Sequence, residues 1–181
     1  MRATSARGFE MVRRSLLKSL GAIVTVPLFG TRSHAAQTND AADFPSLDKS
    51  VTQWRELLEP ARFQILFEEA TERPFSSPLD REKHPGTFIC AACLLPLFDS
   101  AHKFDSGTGW PSFTQSITGH TASRRDFKLV LPRTEYHCAR CTGHQGHVFD
   151  DGPAPRGERW CNNGLALIFV PRGEALPPLR S

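Results

Sequence analysis

Two cysteine pairs of the same spacing, Cys90-Ala91-Ala92-Cys93 and Cys138-Ala139-Arg140-Cys141, constrain the fold of this chain more than any other feature in it. A CxxC turn on a hairpin tip offers both sulfurs to one ion. Two such turns brought together supply four thiolates in a tetrahedron, the arrangement of a closed structural zinc site. Such a site has no open coordination position and does no chemistry. It contributes folding energy, because the unfolded chain has no preformed site. Two other readings stay open: four cysteines in an oxidising compartment could form disulfides, and a single CxxC could be a redox dithiol. The duplication argues against the dithiol.

The length of 181 residues suits one domain. The net charge of +3 is unevenly placed. Arg2, Arg7, Arg13, Arg14, Lys18 and Arg32 stand against Glu10 alone in residues 1–35, and the remainder is slightly acidic. The body therefore makes no electrostatic case for nucleic acid. Residues 1–35 read as an export signal: a basic region, an apolar run from Leu16 to Phe29, then Ser33-His34-Ala35 with small residues before a cut. Arg13-Arg14-Ser15-Leu16-Leu17-Lys18 resembles the twin-arginine signal, and Met11 is an alternative start. A membrane anchor is the rival reading. The apolar run is short against the roughly 20 residues of a span, and Lys18 and Pro27 interrupt it. The expectation is a periplasmic protein cleaved near Ala35, with no stable membrane insertion. A linker covers residues 36–48 and one domain covers 49–181.

Ser50 suits the cap of a helix in which Val51, Trp54, Leu57 and Leu58 share a face. Pro60 suits the first turn of a second helix, with Phe63, Leu66, Phe67 and Ala70 at i, i+3, i+4 and i+7. From Gly86 the pattern changes to short strands between turn residues. Candidates are Thr87 to Cys90, Phe127 to Leu131, Thr134 to Cys138, His147 to Phe149 and Leu165 to Val170. The tail from Pro171 reads as extended and exposed. The expected fold is mainly β, with two leading helices packed on an antiparallel core.

The stretch from Tyr136 to Cys161 holds three of the five cysteines and three of the seven histidines. Cys161 has no CxxC partner. In a strand, Arg159, Cys161 and Asn163 point to one face, and an arginine beside a thiol favours the thiolate. His144 and His147 can supply protons or hydrogen bonds, and Asp151 can orient a histidine or a water. In Ser106-Gly107-Thr108-Gly109-Trp110-Pro111, two glycines and a proline make a tight loop able to present Trp110. An indole face suits an apolar, methyl-sized group or a cation.

These residues together resemble the B-type methionine-(R)-sulfoxide reductases. The marks are ERPF at Glu72–Phe75, CAAC at Cys90–Cys93 and KFDSGTGWPSF at Lys103–Phe113, then CARC and GHQGHVFDDGP within Cys138–Pro153, and ERWCNN at Glu158–Asn163. The resemblance runs from about Trp54 to Phe169. It implies a compact fold of two antiparallel sheets, with one structural zinc at Cys90, Cys93, Cys138 and Cys141. It implies Cys161 as nucleophile, with Trp110, His144, His147, Asp151, Arg159 and Asn163 around the bound sulfoxide. The substrate would be a protein or peptide containing methionine sulfoxide, reduced through a Cys161 sulfenic acid. Many relatives carry a resolving cysteine where this chain has Thr108, so a thioredoxin-like or other external thiol is the expected reductant. Gln145 replaces a usual leucine, Trp160 a usual tyrosine, Asn162 an apolar residue and Gly164 a serine. A monomer is expected. The rival functions are a non-catalytic zinc-binding interaction module and a disulfide-stapled structural protein, neither of which gives Cys161 a role.

Overall fold

The computed structural model describes residues 44, 45, 47, 49–128 and 132–181. The expected signal, its cleavage point and most of the 36–48 linker lie outside the described residues. The described chain is mainly β, with two antiparallel sheets and two short helices. The helices are α1, Val51–Leu57, and α2, Pro60–Glu68. The strands are β1 (Gly86–Cys90), β2 (Pro96–Asp99), β3 (Lys103–Phe104), β4 (Ser112–Phe113), β5 (Thr121–Asp126), β6 (Arg133–Cys138), β7 (His144–Phe149), β8 (Arg159–Asn162) and β9 (Leu167–Pro171). Among the described residues no helix is long and apolar enough to cross a membrane.

Ser50 caps α1 as its sequence suggests. Its hydroxyl accepts from Gln53 N at 3.3 Å, and Gln53 Oε1 accepts from Ser50 N at 2.8 Å, a reciprocal capping box. Trp54 and Leu58 are buried, but Val51 and Leu57 are exposed, so only part of the expected face packs. A helix of 7 residues is too short to lay two turns on the core. In α2, Phe63, Ile65 and Leu66 are buried. Glu69 turns left-handed at φ 52° and ends the helix before Ala70 can join its face.

One sheet has the order β2-β1-β9 and the other β3-β4-β8-β7-β6-β5. Side chains alternate across a strand, so the larger sheet has two distinct faces. Phe113, Trp160 and Tyr136 point inward and meet Phe88 and Phe98 of the smaller sheet. The Phe98 and Phe113 rings stack at 4.1 Å. Full burial of each such ring contributes roughly 1.5–3 kcal/mol. The opposite face carries the polar residues of the site.

One expectation needs correction. The strand expected at Phe127–Leu131 lies earlier, at Thr121–Asp126, and Phe127 and Lys128 fall beyond its end. Residues 129–131 lie outside the described residues. That edge strand, Thr-Ala-Ser-Arg-Arg-Asp, has no buried residue, so it carries no apolar alternation to read. The tail from Pro171 is extended and mostly exposed, as its sequence suggests, and it is tethered near its end: Arg180 N donates to Cys93 O at 3.1 Å, and Arg140 Nη1 donates to Arg180 O at 2.8 Å. It folds back on the first CxxC turn.

Candidate active site and metal centre

The two CxxC turns are built alike. In the first, Leu94 N donates to Cys90 O at 2.9 Å and Cys90 N to Leu95 O at 2.8 Å. In the second, Thr142 N donates to Cys138 O and Cys138 N to Gly143 O, both at 3.0 Å. Each turn closes with a left-handed residue, Leu94 at φ 68° and Thr142 at φ 59°. The topology brings both turns to one place, and Cys90, Cys93, Cys138 and Cys141 are all buried.

The four sulfurs lie within 4.8 Å of one another. Cys90 and Cys141 Sγ are 3.6 Å apart, and Cys93 and Cys138 Sγ 3.5 Å. A disulfide needs about 2.05 Å, so these pairs are not bonded. A tetrahedron with metal–sulfur bonds of about 2.3 Å has edges near 3.8 Å. The donor set and its spacing therefore fit one tetrahedral ion, and zinc is the ion that suits four thiolates.

Cys161 sits on β8 with His147 of β7 directly opposite on one side and Ser112 of β4 on the other. Glu135 of β6 stands opposite His147. Directly opposed residues share a face, so Ser112, Cys161, His147 and Glu135 form one row on the outer face of the sheet. The close approach of β7 and β8 requires Gly146, because a Cβ there would lie 1.9 Å from Cys161 O.

Two histidines three apart in a regular strand point to opposite faces. Here His137 pairs with His144 while Tyr136 pairs with Gly146, which leaves Gln145 as an extra residue on β7. That bulge returns His144 to the face of His147, and their ring centroids are 5.5 Å apart. It turns the Gln145 side chain inward, toward Cys90.

Each histidine has its own carboxylate. His144 Nδ1 is 2.8 Å from Glu135 Oε1, and His147 Nε2 is 2.9 Å from Asp126 Oδ2. Asp126 also pairs with Arg133 at 2.6 Å, and Glu135 with Arg124 at 2.7 Å. The sequence reading gave such an orienting role to Asp151. In the structure Asp151 instead holds Arg159, with bonds of 2.8 and 2.9 Å to Nε and Nη2. The Arg159 guanidinium lies 4.4 Å from the centre of the Phe149 ring.

Trp110, His147, Cys161 and Asn163 line one cavity of about 130 Å³, together with Thr71 and Phe149. His144, Asp151 and Arg159 are not among its lining residues, and they bear on it through their neighbours. The loop before Trp110 is fixed by Gly109 at φ 87°, where a Cβ would meet Phe75 N at 2.7 Å. Trp110 Nε1 donates to Glu72 O at 3.2 Å. The Glu72 carboxylate caps the turn that follows β8 by accepting from Gly164 N and Leu165 N. Asn163 is buried, accepting from Glu72 N at 3.1 Å and donating to Gln145 O at 3.1 Å, so its amide ties the cavity wall together. Gly164 leaves room for the Ser77 hydroxyl, which would lie 2.0 Å from a Cβ there.

Burial pushes the Cys161 thiol up from its ordinary value. Arg159 and the Thr108 hydroxyl pull the other way, and Asp151 adds to the rise. The arginine thus favours the thiolate, as its place in the sequence suggests, but burial outweighs it. Burial lowers His147, and its hydrogen bond to the Asp126 carboxylate opposes that fall. Asp126 is held well below the usual carboxylate range by the Lys128 amide, then by His147 and Arg133. For Glu135, burial raises the carboxyl, but His137, His144 and Arg124 together bring it well below that range. The site therefore gathers a buried thiol, an imidazole and an aromatic wall around one cavity.

Comparison with known proteins gives one family. A family model described as the SelR domain matches residues 58–171. The peptide methionine sulfoxide reductase MsrB of Bradyrhizobium diazoefficiens is 50% identical over 125 residues, covering 68% of this chain and 90% of that protein. Its namesake in Pseudomonas putida is 47% identical over 130 residues, covering 71% and 98%. The chloroplastic peptide methionine sulfoxide reductase B1 of Arabidopsis thaliana is 40% identical over 170 residues, covering 91% and 82%. Among solved structures, the Mis18 "Yippee-like" domain covers 50% of this chain and 100% of its own at a TM-score of 0.39 and 17% identity, too distant to bear on function.

Proposed function

This chain belongs to the SelR-domain family of MsrB peptide methionine sulfoxide reductases, and from that membership we propose that it reduces the R epimer of methionine sulfoxide through Cys161. The observation that carries this reading is the shared cavity of Cys161, Trp110 and His147. The thiolate of Cys161 attacks the sulfoxide sulfur while His147 donates a proton to the sulfoxide oxygen. Oxygen passes to Cys161, two electrons pass to the substrate sulfur, and methionine leaves a sulfenic acid behind. Trp110 receives the S-methyl group, and Arg159, held by Asp151, favours the thiolate. Asp126 orients His147, and Glu135 orients His144. Asn163 holds the cavity wall.

The other four cysteines are gathered in the buried cluster. An external thiol then attacks the sulfenic acid, releasing water and forming a mixed disulfide, and a second thiol equivalent restores Cys161. A thioredoxin-like protein suits that role. Zinc at Cys90, Cys93, Cys138 and Cys141 would supply folding energy and no chemistry. The test is turnover of separated R and S epimers of a methionine sulfoxide peptide with dithiothreitol. Consumption of R alone supports the assignment, and consumption of S alone or of neither rejects it.

The protein acts on oxidised polypeptides in the periplasm as a monomer, after export by the twin-arginine route and cleavage near Ala35. The leader's charge pattern motivates this reading. Replacing Arg13 and Arg14 with lysine should keep the protein in the cytoplasm in cell fractionation, and unchanged export would reject the route.

A further inference from the structure

Gln145 has no exposed surface and Asn162 is 1% exposed, yet both carry amides. Every side-chain polar atom of the two is partnered. Gln145 Nε2 donates to Cys90 Sγ at 3.6 Å and to Gly143 O at 3.4 Å. Gln145 Oε1 accepts from Asn162 Nδ2 at 3.4 Å. Asn162 Nδ2 also donates to Asn163 O at 2.8 Å, and Asn162 Oδ1 accepts from the Tyr136 hydroxyl at 2.6 Å. That hydroxyl reaches Cys161 O at 3.3 Å as well. One buried chain of hydrogen bonds thus runs from a cysteine of the cluster to the backbone of Cys161 and to the residue that follows it.

The two amides depend on each other. A buried amide without a partner costs far more than a satisfied pair contributes. Gln145 and Asn162 both depart from the motifs this chain otherwise resembles, and the structure bonds them to each other. The bulge on β7 matters here too, since it is what turns Gln145 inward while His144 and His147 share the other face of the sheet.

We propose that Gln145 is a positioning residue that couples the tetracysteine centre to Cys161. On one side its N–H stabilises the charge that Cys90 carries as a metal ligand, the part that an outer-shell donor plays at a metal site. On the other, through Asn162 and Tyr136, it fixes the backbone that aims the Cys161 side chain. A change in the geometry of the metal centre is thereby felt at a thiol on the opposite face of the sheet.

The experiment compares wild type, Gln145→Leu, Asn162→Val and the double variant. Cobalt(II)-loaded protein reports the sulfur-to-metal charge-transfer band and the rate of metal loss to a chelator. Mass-mapped alkylation reports Cys161 in the zinc-loaded and cadmium-loaded forms, cadmium being the larger ion. In Gln145→Leu the band should shift and metal retention fall about tenfold to a hundredfold. The double variant leaves no buried amide unpaired, so it should recover thermal stability without recovering metal retention. The exchange of zinc for cadmium should change the Cys161 alkylation rate severalfold in wild type and not at all in either variant lacking Gln145. Recovery of wild-type metal retention in the double variant, or a persistent response to cadmium without Gln145, overturns the proposal. No sulfoxide enters either readout, so the result stands apart from the reductase reading.

Discussion

His147 Nε2 lies 2.9 Å from Asp126 Oδ2, and Asp126 is the last residue of the polar edge strand β5. Burial lowers His147 and raises Cys161, so the thiolate–imidazolium pairing is a minority form. Its fraction is constant between the two pKa values and falls outside them. Asp126→Asn removes the group that opposes the fall in His147. The acid limb of the pH profile of kcat/KM should move to lower pH, and the rate at pH 7 should drop about tenfold for each pKa unit lost. A profile scaled down with its acid limb unmoved contradicts a proton-donating His147.

Arg159→Met bears on the thiol instead. It removes the guanidinium that pulls Cys161 down and leaves burial, the largest cause, opposed only by the Thr108 hydroxyl. The Cys161 titration should move to higher pH, and alkylation at pH 7 should slow about tenfold per unit. The pH dependence of iodoacetamide labelling checks this directly, and an unmoved titration means that Arg159 serves packing against Phe149 alone.

How much of this was legible beforehand depended on distance along the chain. The paired CxxC turns, the capping box at Ser50 and the isolated Cys161 are local patterns, and each reads from a few residues. Asp126 and Glu135 carry no local signal. They reach His147 and His144 only because β5, β6 and β7 pair in one register, and Asp151, adjacent in sequence, was the natural but different candidate. The bulge at Gln145 is likewise set by sheet pairing, and without it the two histidines would face opposite ways.

The strands followed the same rule. Two-residue strands such as β3 and β4 have no periodicity to detect, and β2 begins at a proline. The edge strand β5 has Ala122 as its one apolar residue, while the apolar run after it drew the expectation. The α2 face was readable because Phe63, Leu66 and Phe67 pack on the core, whereas α1 reaches it through Trp54 and its C-cap residue Leu58.

Gly146→Ala should be among the most damaging small changes, because its Cβ would meet the Cys161 carbonyl at 1.9 Å. The cost should be about 3 kcal/mol, the upper part of the range for overpacking, with reductase activity lost alongside stability. Gly107→Ala is the control: φ there is 70° but no atom lies within 4 Å of the new Cβ, so about 1 kcal/mol is expected. Chemical denaturation distinguishes the two, and equal losses would contradict the close-approach argument.

Metal removal should unfold the domain rather than silence it selectively. Binding at a four-thiolate site is worth on the order of 10 kcal/mol of folding free energy near neutral pH, and the thiolates must be deprotonated to supply it. Chelation, acidification or Cys138→Ser should each release metal and unfold the chain together. Trp54, buried and stacked on Phe67 at 5.1 Å, reports the loss by fluorescence. A metal-free protein with unchanged fluorescence and circular dichroism contradicts a structural role for the ion.

The most direct test is a single turnover without reductant. Zinc-loaded protein is mixed with excess R-epimer methionine sulfoxide peptide, then treated with a sulfenic-acid trap and mapped by mass spectrometry. The account predicts one methionine formed per chain, one trapped adduct at Cys161, and neither in Cys161→Ser. Methionine formed without an adduct at Cys161, or undiminished in Cys161→Ser, contradicts it.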